Sequence, residues 1–280
     1  MSQLLTRRHF LAGIIAAPVL TALYTWRVEP MWVEFVRRDL PIAHLPPALV
    51  GKTLVQLSDT HIGPRVDDDY VVDVFKRVSA LAPDFVVHTG DVITYAGPRT
   101  IAQARAVLAS YPRGRLGSFA CLGNHDYGKN WSEPAVAQQV AGLLTAAGCT
   151  VLRNQAVRIA GLQFIGLDDL WSRRFQPERI LPGLRADEPA LVLNHNPDAC
   201  DLPRWSGYRG WILAGHTHGG QCKPPFLPPP LLPVRNRRYT AGEFTVGDGR
   251  KLYINRGVGH LLRVRFNVRP EVTVFTLIAA

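Results

Sequence analysis

Apolar and polar positions follow two regimes along this chain. In the first, short apolar runs alternate with stretches of helical spacing. Thr53–Ser58 is an apolar run bounded by Gly51 and Asp59, which predicts a buried strand. From Asp69 to Leu81 the residues Val72, Val74, Phe75 and Val78 recur with helical spacing, and Pro83 ends the pattern. Phe85–His88 predicts a second strand, Arg99–Ser110 a second helix and Leu116–Leu122 a third strand. Glu133–Ala147 predicts a third helix, with Pro134 early and Gly148 just past its end, where helix chemistry favours them. Strand alternating with helix marks an α/β layer. From Val151 the pattern breaks into short strands: Val151–Leu152, Val157–Ile159, Leu162–Ile165, Leu191–Leu193, Trp211–Leu213, Phe244–Val246, Leu252–Ile254 and Val272–Leu277. The predicted class is therefore α/β, with a second, mixed sheet packed on the first.

Three stretches fit neither regime. Phe10–Tyr24 carries no charge, follows Arg7-Arg8 and ends before Arg27, a layout similar to a twin-arginine export signal. The alternative is a short buried helix, but the stretch lacks the polar periodicity of an amphipathic one. It has no evident small-x-small cleavage site and is marginal against the roughly 20 apolar residues that cross a bilayer. The expectation is an exported protein, periplasmic or attached to the outer face of the inner membrane. Residues 1–38 are read as signal or anchor with linker, and 39–280 as one enzyme domain, entered through a Pro-rich linker with Pro41, Pro46 and Pro47. Pro224–Pro233 is too Pro-rich for a helix or central strand and too apolar for an ordinary solvated loop. It is either a rigid cover packed on the domain or a hydrophobic lip that touches lipid.

Composition narrows the class. At 280 residues, 47% hydrophobic and 19% charged, the chain can bury a sizeable core, which excludes a disordered polyelectrolyte and a polytopic membrane protein. The formal charge is +10, and residues 223–280 carry ten Lys/Arg against three acids, so the surplus sits at the C-terminal end. Aromatics are not interleaved with those basic residues in a stacking pattern, so no nucleic-acid partner is expected. Cys121, Cys149, Cys200 and Cys222 show no C-x-x-C or zinc-finger spacing; Cys121, in an apolar run, reads as a core thiol.

The chemistry lies where the strands end. The first gives Ser58-Asp59-Thr60-His61, the second Thr89-Gly90-Asp91 and the third Gly123-Asn124-His125-Asp126. Later strands run into Asn194-His195 and Gly215-His216-Thr217-His218-Gly219-Gly220. In open α/β sheets the functional crevice lies outside the carboxyl ends of the strands, so five segments converge on one rim. Turn chemistry accounts for a lone Asp or Asn there, but not for five histidines. Imidazole and carboxylate without thiolate favour borderline or hard divalent ions: Mn²⁺ first, then Fe²⁺ or Zn²⁺. His216 and His218, two apart, can each serve one of two neighbouring ions. His88 lies inside an apolar strand and reads as a core histidine; Asp168 and Asp169 read as a structural turn, with Trp171, Arg173 and Arg174 placed to shape specificity.

The ordered set D-x-H, G-D, G-N-H-D, H and G-H-x-H resembles the calcineurin-like metallophosphoesterase superfamily. With G-H-T-H-G-G-Q and Asn255-Arg256-Gly257-Val258-Gly259, it is most similar to a bacterial branch of exported or membrane-associated phosphodiesterases. The resemblance runs from Leu54 to the C-terminus and implies a four-layer α/β/β/α sandwich. It further implies that Asp59, His61 and His218 hold one ion, that Asn124, His195 and His216 hold the other, and that Asp91 bridges both. His125 would be the non-ligand acid, with Asp59 or Asp126 orienting its ring, and a hydroxide shared by the ions would attack phosphorus. Protein phosphatases of the superfamily carry G-D-x-x-D-R-G, whose Arg grips a terminal phosphate. Here the run is Gly90-Asp91-Val92-Ile93-Thr94-Tyr95, so a phosphodiester or pyrophosphate is expected. The partner expected is a phosphorylated small molecule or lipid, met at a membrane surface. Cyclic or linear nucleotides, and a UDP-diacylglucosamine, are the alternative substrates.

Overall fold

The computed structural model describes residues 16–280 apart from Ala186 and Asp248, so Arg7, Arg8 and the start of the apolar run lie outside the described residues. Two six-stranded sheets pack face to face. The first has the order β1 (Glu34–Ile42), β12 (Glu271–Ala279), β2 (Thr53–Leu57), β3 (Phe85–Thr89), β4 (Gly117–Cys121), β5 (Thr150–Val151). The second has the order β10 (Gly242–Thr245), β11 (Lys251–Ile254), β9 (Trp211–Ala214), β8 (Ala190–Leu193), β7 (Leu162–Gly166), β6 (Gln155–Ile159). Strands β2, β3 and β4 are mutually parallel, as are β7, β8, β9 and β11, whereas β6 and β10 close the second sheet as antiparallel edges. Every strand that ends in a candidate ligand is thus a parallel, interior strand.

Three helices cover the outer face of the first sheet: α1 (Asp68–Ala80), α2 (Pro98–Leu108) and α3 (Pro134–Ala146). The α1 start is fixed by Asp67, whose carboxylate accepts the Asp69 and Tyr70 N–H groups, and its buried stripe is Tyr70, Val71, Val74, Phe75 and Val78. Proline opens both α2 and α3, at the position where a missing N–H costs nothing. On the second sheet the outer layer is thin, made of 3₁₀ turns at Pro177–Arg179, Leu181–Gly183 and Pro197–Asp201 and of loops carrying Phe175, Trp205 and Tyr239.

Between the sheets lies an apolar core in which Phe119 stacks on Phe164 at 4.3 Å and Phe85 meets Phe164 at 5.0 Å. Truncating Phe119 to alanine is expected to destabilise the protein by about 3–5 kcal/mol, since neighbours from two sheets cannot collapse into the space. Urea unfolding followed by circular dichroism checks this, and a loss below ~1 kcal/mol contradicts it.

The first strand is a correction. The sequence places a linker here and a domain boundary before residue 39, but β1 begins at Glu34 and pairs in parallel register with β12 along its whole length. Its consecutive exposed Arg38 and Asp39 hide the strand pattern, and Pro41 is tolerated because β1 is an edge. Ahead of it, residues 16–28 are helical and dock on the domain: the Arg265 N–H donates to the Thr25 carbonyl, and buried Glu29 accepts the Val268 N–H. Among the described residues, no helix is long and apolar enough to cross a membrane. The four cysteines form no disulfide with one another.

Candidate metal centre

Five of the seven residues expected as ligands sit in left-handed backbone: Asp59 (φ 50°), His61 (47°), Asp91 (54°), His216 (72°) and His218 (50°). Such conformations cost non-glycine residues energy and persist where surrounding structure over-determines them. The chain leaves each strand in this sharp turn, which folds the next side chain back over the sheet edge. The turns are clamped across strands: the Asp59 N–H donates to the Gly90 carbonyl, His61 N–H to Asp91, and Gly259 N–H to Asp59. Two glycines make room for the clamping. A Cβ on Gly123 would lie 2.3 Å from Asp91 Oδ1, and one on Gly215 would lie 2.0 Å from Ser58 Oγ and 2.2 Å from Asp59 Oδ2.

The result is two adjacent, buried metal-binding groups: Asp59 with His61 and His218, and Asp91 with His195 and His216. His61 Nε2 and His218 Nε2 face each other at 2.9 Å, and Asp59 Oδ1 is 3.3 Å from the latter. In the second group His216 Nδ1 is 3.1 Å from His195 Nε2, which is 3.2 Å from Asp91 Oδ2. That same Asp91 oxygen is 3.6 Å from His61 Nε2, so one carboxylate reaches both groups. His216 and His218 divide between the groups, as their spacing suggested.

A divalent ion in each group fits these residues. The Asn124 side chain is buried beside the centre, and neither its oxygen nor its nitrogen has a hydrogen-bond partner, a costly state that a metal bond to the oxygen relieves. The imidazoles are also oriented from behind. The Thr89 carbonyl lies 2.8 Å from His195 Nδ1, Thr94 Oγ1 2.8 Å from His61 Nδ1, and the Pro233 carbonyl 2.8 Å from His216 Nε2. Each contact fixes one ring nitrogen and leaves the other for a ligand role.

Without ions the cluster holds protons. Burial pushes the Asp59 carboxyl up to about 7. Burial opposes charge on His195 as well, but the Asp91 carboxylate outweighs it and raises the imidazole to about 10. Burial, reinforced by neighbouring cationic groups, takes His61 and His218 well below the ordinary histidine range. Metal loading therefore displaces the His195 proton, and affinity should rise about tenfold per pH unit from 7 towards 10, more steeply below 7 where Asp59 is protonated too. Calorimetric Mn²⁺ titrations in buffers of different ionisation enthalpy check this: about one proton released at pH 8 is expected, and none released refutes it.

The family model for calcineurin-like phosphoesterases matches residues 52–220, more than half the chain. The chain belongs to the calcineurin-like phosphoesterase family. It is 33% identical to phosphodiesterase YaeI of Escherichia coli, covering 98% of this chain and 100% of that one. It is 28% identical to the UDP-2,3-diacylglucosamine pyrophosphatase LpxG of Chlamydia muridarum, over 94% and 95% of the two chains. It is 33% identical to the metallophosphoesterase YkuE of Bacillus subtilis, over 98% of each. The protein is a metal-dependent phosphoester hydrolase.

His125 stands apart from both groups. It is half-buried, its ring is edge-on to His61 at 5.1 Å, and its backbone N–H donates to Asp91 Oδ1. Neither carboxylate expected to orient its ring does so. Asp126 accepts the Gly123 and Ile93 N–H groups and Asp59 accepts the His216 N–H and the Ser58 hydroxyl, so both hold turns. The ring's other neighbour is Trp131 at 6.0 Å, a residue the sequence did not single out although it stands just after the Gly123–Asp126 motif. His88 is a buried strand residue whose Nε2 meets Thr60 Oγ1, and it belongs to neither metal-binding group. Asp168 ties Tyr127 to Arg153, and Asp169 accepts the Ser172 N–H, a structural turn as expected.

Proposed function

We propose that the protein is a dinuclear metal phosphodiesterase or pyrophosphatase that works on an amphiphilic substrate at a membrane surface, exported and held at the outer face of the inner membrane. The observation that carries the proposal is an apolar lip joined directly to the centre. Phe226, Leu227 and Leu231 are exposed on the Pro-rich loop, and that loop ends at Pro233, whose carbonyl contacts His216. The lip continues over neighbouring segments. Gln221 Nε2 donates to the Leu262 and Val264 carbonyls, and Arg265 ties that stretch to the helical residues 16–28, where Leu20, Leu23 and Trp26 are also exposed. Contiguous exposed apolar surface of this kind marks an interaction face, and Arg27, Lys223 and Arg263 set beside it suit anionic headgroups. Not all of the C-terminal charge serves this face: Arg256 pairs with Glu34 and Glu271, Arg265 is buried on backbone carbonyls, and Arg237 braces the Pro229 and Pro230 carbonyls.

Two divalent ions, Mn²⁺ by preference, would supply Lewis acidity and a nucleophilic water. Asp59, His61 and His218 would hold one; Asn124, His195 and His216 the other; and Asp91 would reach both. The half-buried His125 would give a proton to the leaving oxygen as the phosphorus–oxygen bond breaks. A diester suits this site better than a monoester because Tyr95 stands where the G-D-x-x-D-R-G pattern carries its Arg, so the Asp91 turn offers no cation to a terminal phosphate. UDP-2,3-diacylglucosamine, the substrate in LpxG's name, is an acylated nucleoside-diphosphate sugar and belongs to the proposed class.

The test uses metal-stripped protein on bis-p-nitrophenyl phosphate, p-nitrophenyl phosphate and lipid-linked diesters, with and without Mn²⁺. Metal-dependent turnover with diester preferred by about tenfold or more is expected, in line with differential transition-state binding. Absence of metal-dependent diester hydrolysis refutes the reading. Phe226→Asp with Leu231→Asp should abolish co-sedimentation with anionic phospholipid vesicles while leaving hydrolysis of the soluble diester intact. Unchanged co-sedimentation removes the membrane part.

A further inference from the structure

Beside the centre lies a cavity of about 880 Å³ that the hydrolytic machinery does not use. Its walls include Trp131 and Trp171, which stack on each other with centroids 4.9 Å apart, and Arg173 and Arg235. Trp171 also abuts His216 at 4.5 Å and Trp131 abuts His125 at 6.0 Å, so the indole pair bridges one metal-binding group and the candidate acid. Anything bound against the pair is next to the reacting phosphate.

The pair is built in, at a cost. Trp131 (φ 57°) and Arg173 (φ 62°) both occupy left-handed backbone, which bulky side chains rarely adopt. Each loop is braced: Glu133 accepts the Lys129 N–H, Asp169 accepts the Ser172 N–H, and Asn154 donates to the Arg174 carbonyl. The two indoles are only partly covered, and neither Arg173 nor Arg235 has a carboxylate partner among the described residues. The acids at this cavity are already engaged: Asp198 accepts the Arg235 and Asn236 N–H groups, and Asp201 accepts the Tyr239 hydroxyl and the Asn236 amide.

We propose that Trp131, Trp171, Arg173 and Arg235 form a specificity subsite for the part of the substrate beyond the scissile bond, and that this part is planar and anionic, as in a nucleoside phosphate. The inference rests on the diesterase reading above and names its substrate class. A flat heterocycle gains stacking on the indoles, and forked guanidiniums match phosphate oxygens. The volume is within the range of small-ligand sites. The apolar lip lies along the Pro-rich segment that ends two residues before Arg235, so an amphiphile would place its nucleotide in this cavity and its acyl part at the lip.

The test compares two p-nitrophenyl diesters that share a leaving group, one built on thymidine monophosphate and one on phosphorylcholine. The Mn²⁺-loaded enzyme is expected to favour the nucleotide ester by about tenfold or more, chiefly in KM, the scale of base-on-aromatic stacking. Trp131→Ala with Trp171→Ala should bring the ratio of specificity constants close to one, and the matching Phe replacements should keep it. A second arm needs no turnover: a nucleoside diphosphate should quench tryptophan fluorescence of the metal-free protein saturably, and Arg173→Gln with Arg235→Gln should weaken it about tenfold or more. A wild-type ratio near one, or a ratio that survives the alanine pair, overturns the subsite. If neither ester is hydrolysed, the diesterase reading fails, and the fluorescence titration decides the subsite alone, absence of saturable quenching overturning it.

Discussion

Replacing Asp91 with alanine is expected to cut diester turnover by at least about a thousandfold and to take bound metal from two ions to one or none. Asp91 Oδ2 is the carboxylate oxygen within 3.6 Å of His61 Nε2 and 3.2 Å of His195 Nε2, so its loss affects both groups at once. A catalytic ion stabilises several kcal/mol of transition-state charge, and each 1.36 kcal/mol is tenfold in rate, which sets the about thousandfold floor. Asp91→Asn separates charge from shape. It keeps an oxygen in place but removes the negative charge that stabilises the His195 imidazolium, so metal-free Asp91→Asn protein should release fewer protons on loading. Metal analysis by mass spectrometry with parallel kinetics provides the check. An alanine variant that retains two ions and turns over within tenfold of wild type would remove Asp91 from the centre.

What the sequence made legible follows from the kind of residue that carries it. Ligand-type side chains at the ends of apolar strands are conspicuous because Asp59, His61, Asp91, His195, His216 and His218 have no packing reason to be there, and all six meet in the structure. Asn124 became convincing only in three dimensions, through its unpartnered buried amide. The supports were not legible. Thr94, Pro233 and the Thr89 carbonyl hold imidazoles from segments 17 to 106 residues away, and no local pattern announces that. Strand β1 escaped for an opposite reason: as an exposed edge it needs no alternation, and its pairing with β12 spans nearly the whole chain. Trp131 escaped because an aromatic at the end of the polar run Gly128-Lys129-Asn130 reads as loop filler until it is seen against Trp171.

Changing His125 to alanine is expected to have an effect that depends on the leaving group. With a nitrophenolate leaving group, the departing oxygen is stable as an anion and little is gained from a proton. With an alkoxide, a positioned acid contributes about a hundredfold to ten-thousandfold. The variant should therefore lose about a hundredfold or more on alkyl diesters, and much less on bis-p-nitrophenyl phosphate. The geometry favours this division. His125 is the one half-buried histidine beside a set of buried ones, in neither metal-binding group, and its backbone N–H anchors it to Asp91 Oδ1 while the ring faces His61 and Trp131. A ring left free by both carboxylates of its neighbourhood can move towards a substrate oxygen, whereas the ligand imidazoles, braced from behind, cannot. His125→Gln adds a control, because it retains a hydrogen-bond donor without an exchangeable acid. If glutamine restores alkyl-ester turnover, His125 stabilises charge and does not transfer a proton. If alanine depresses both ester classes equally with metal content intact, His125 has no leaving-group role and the acid must be sought elsewhere along the rim.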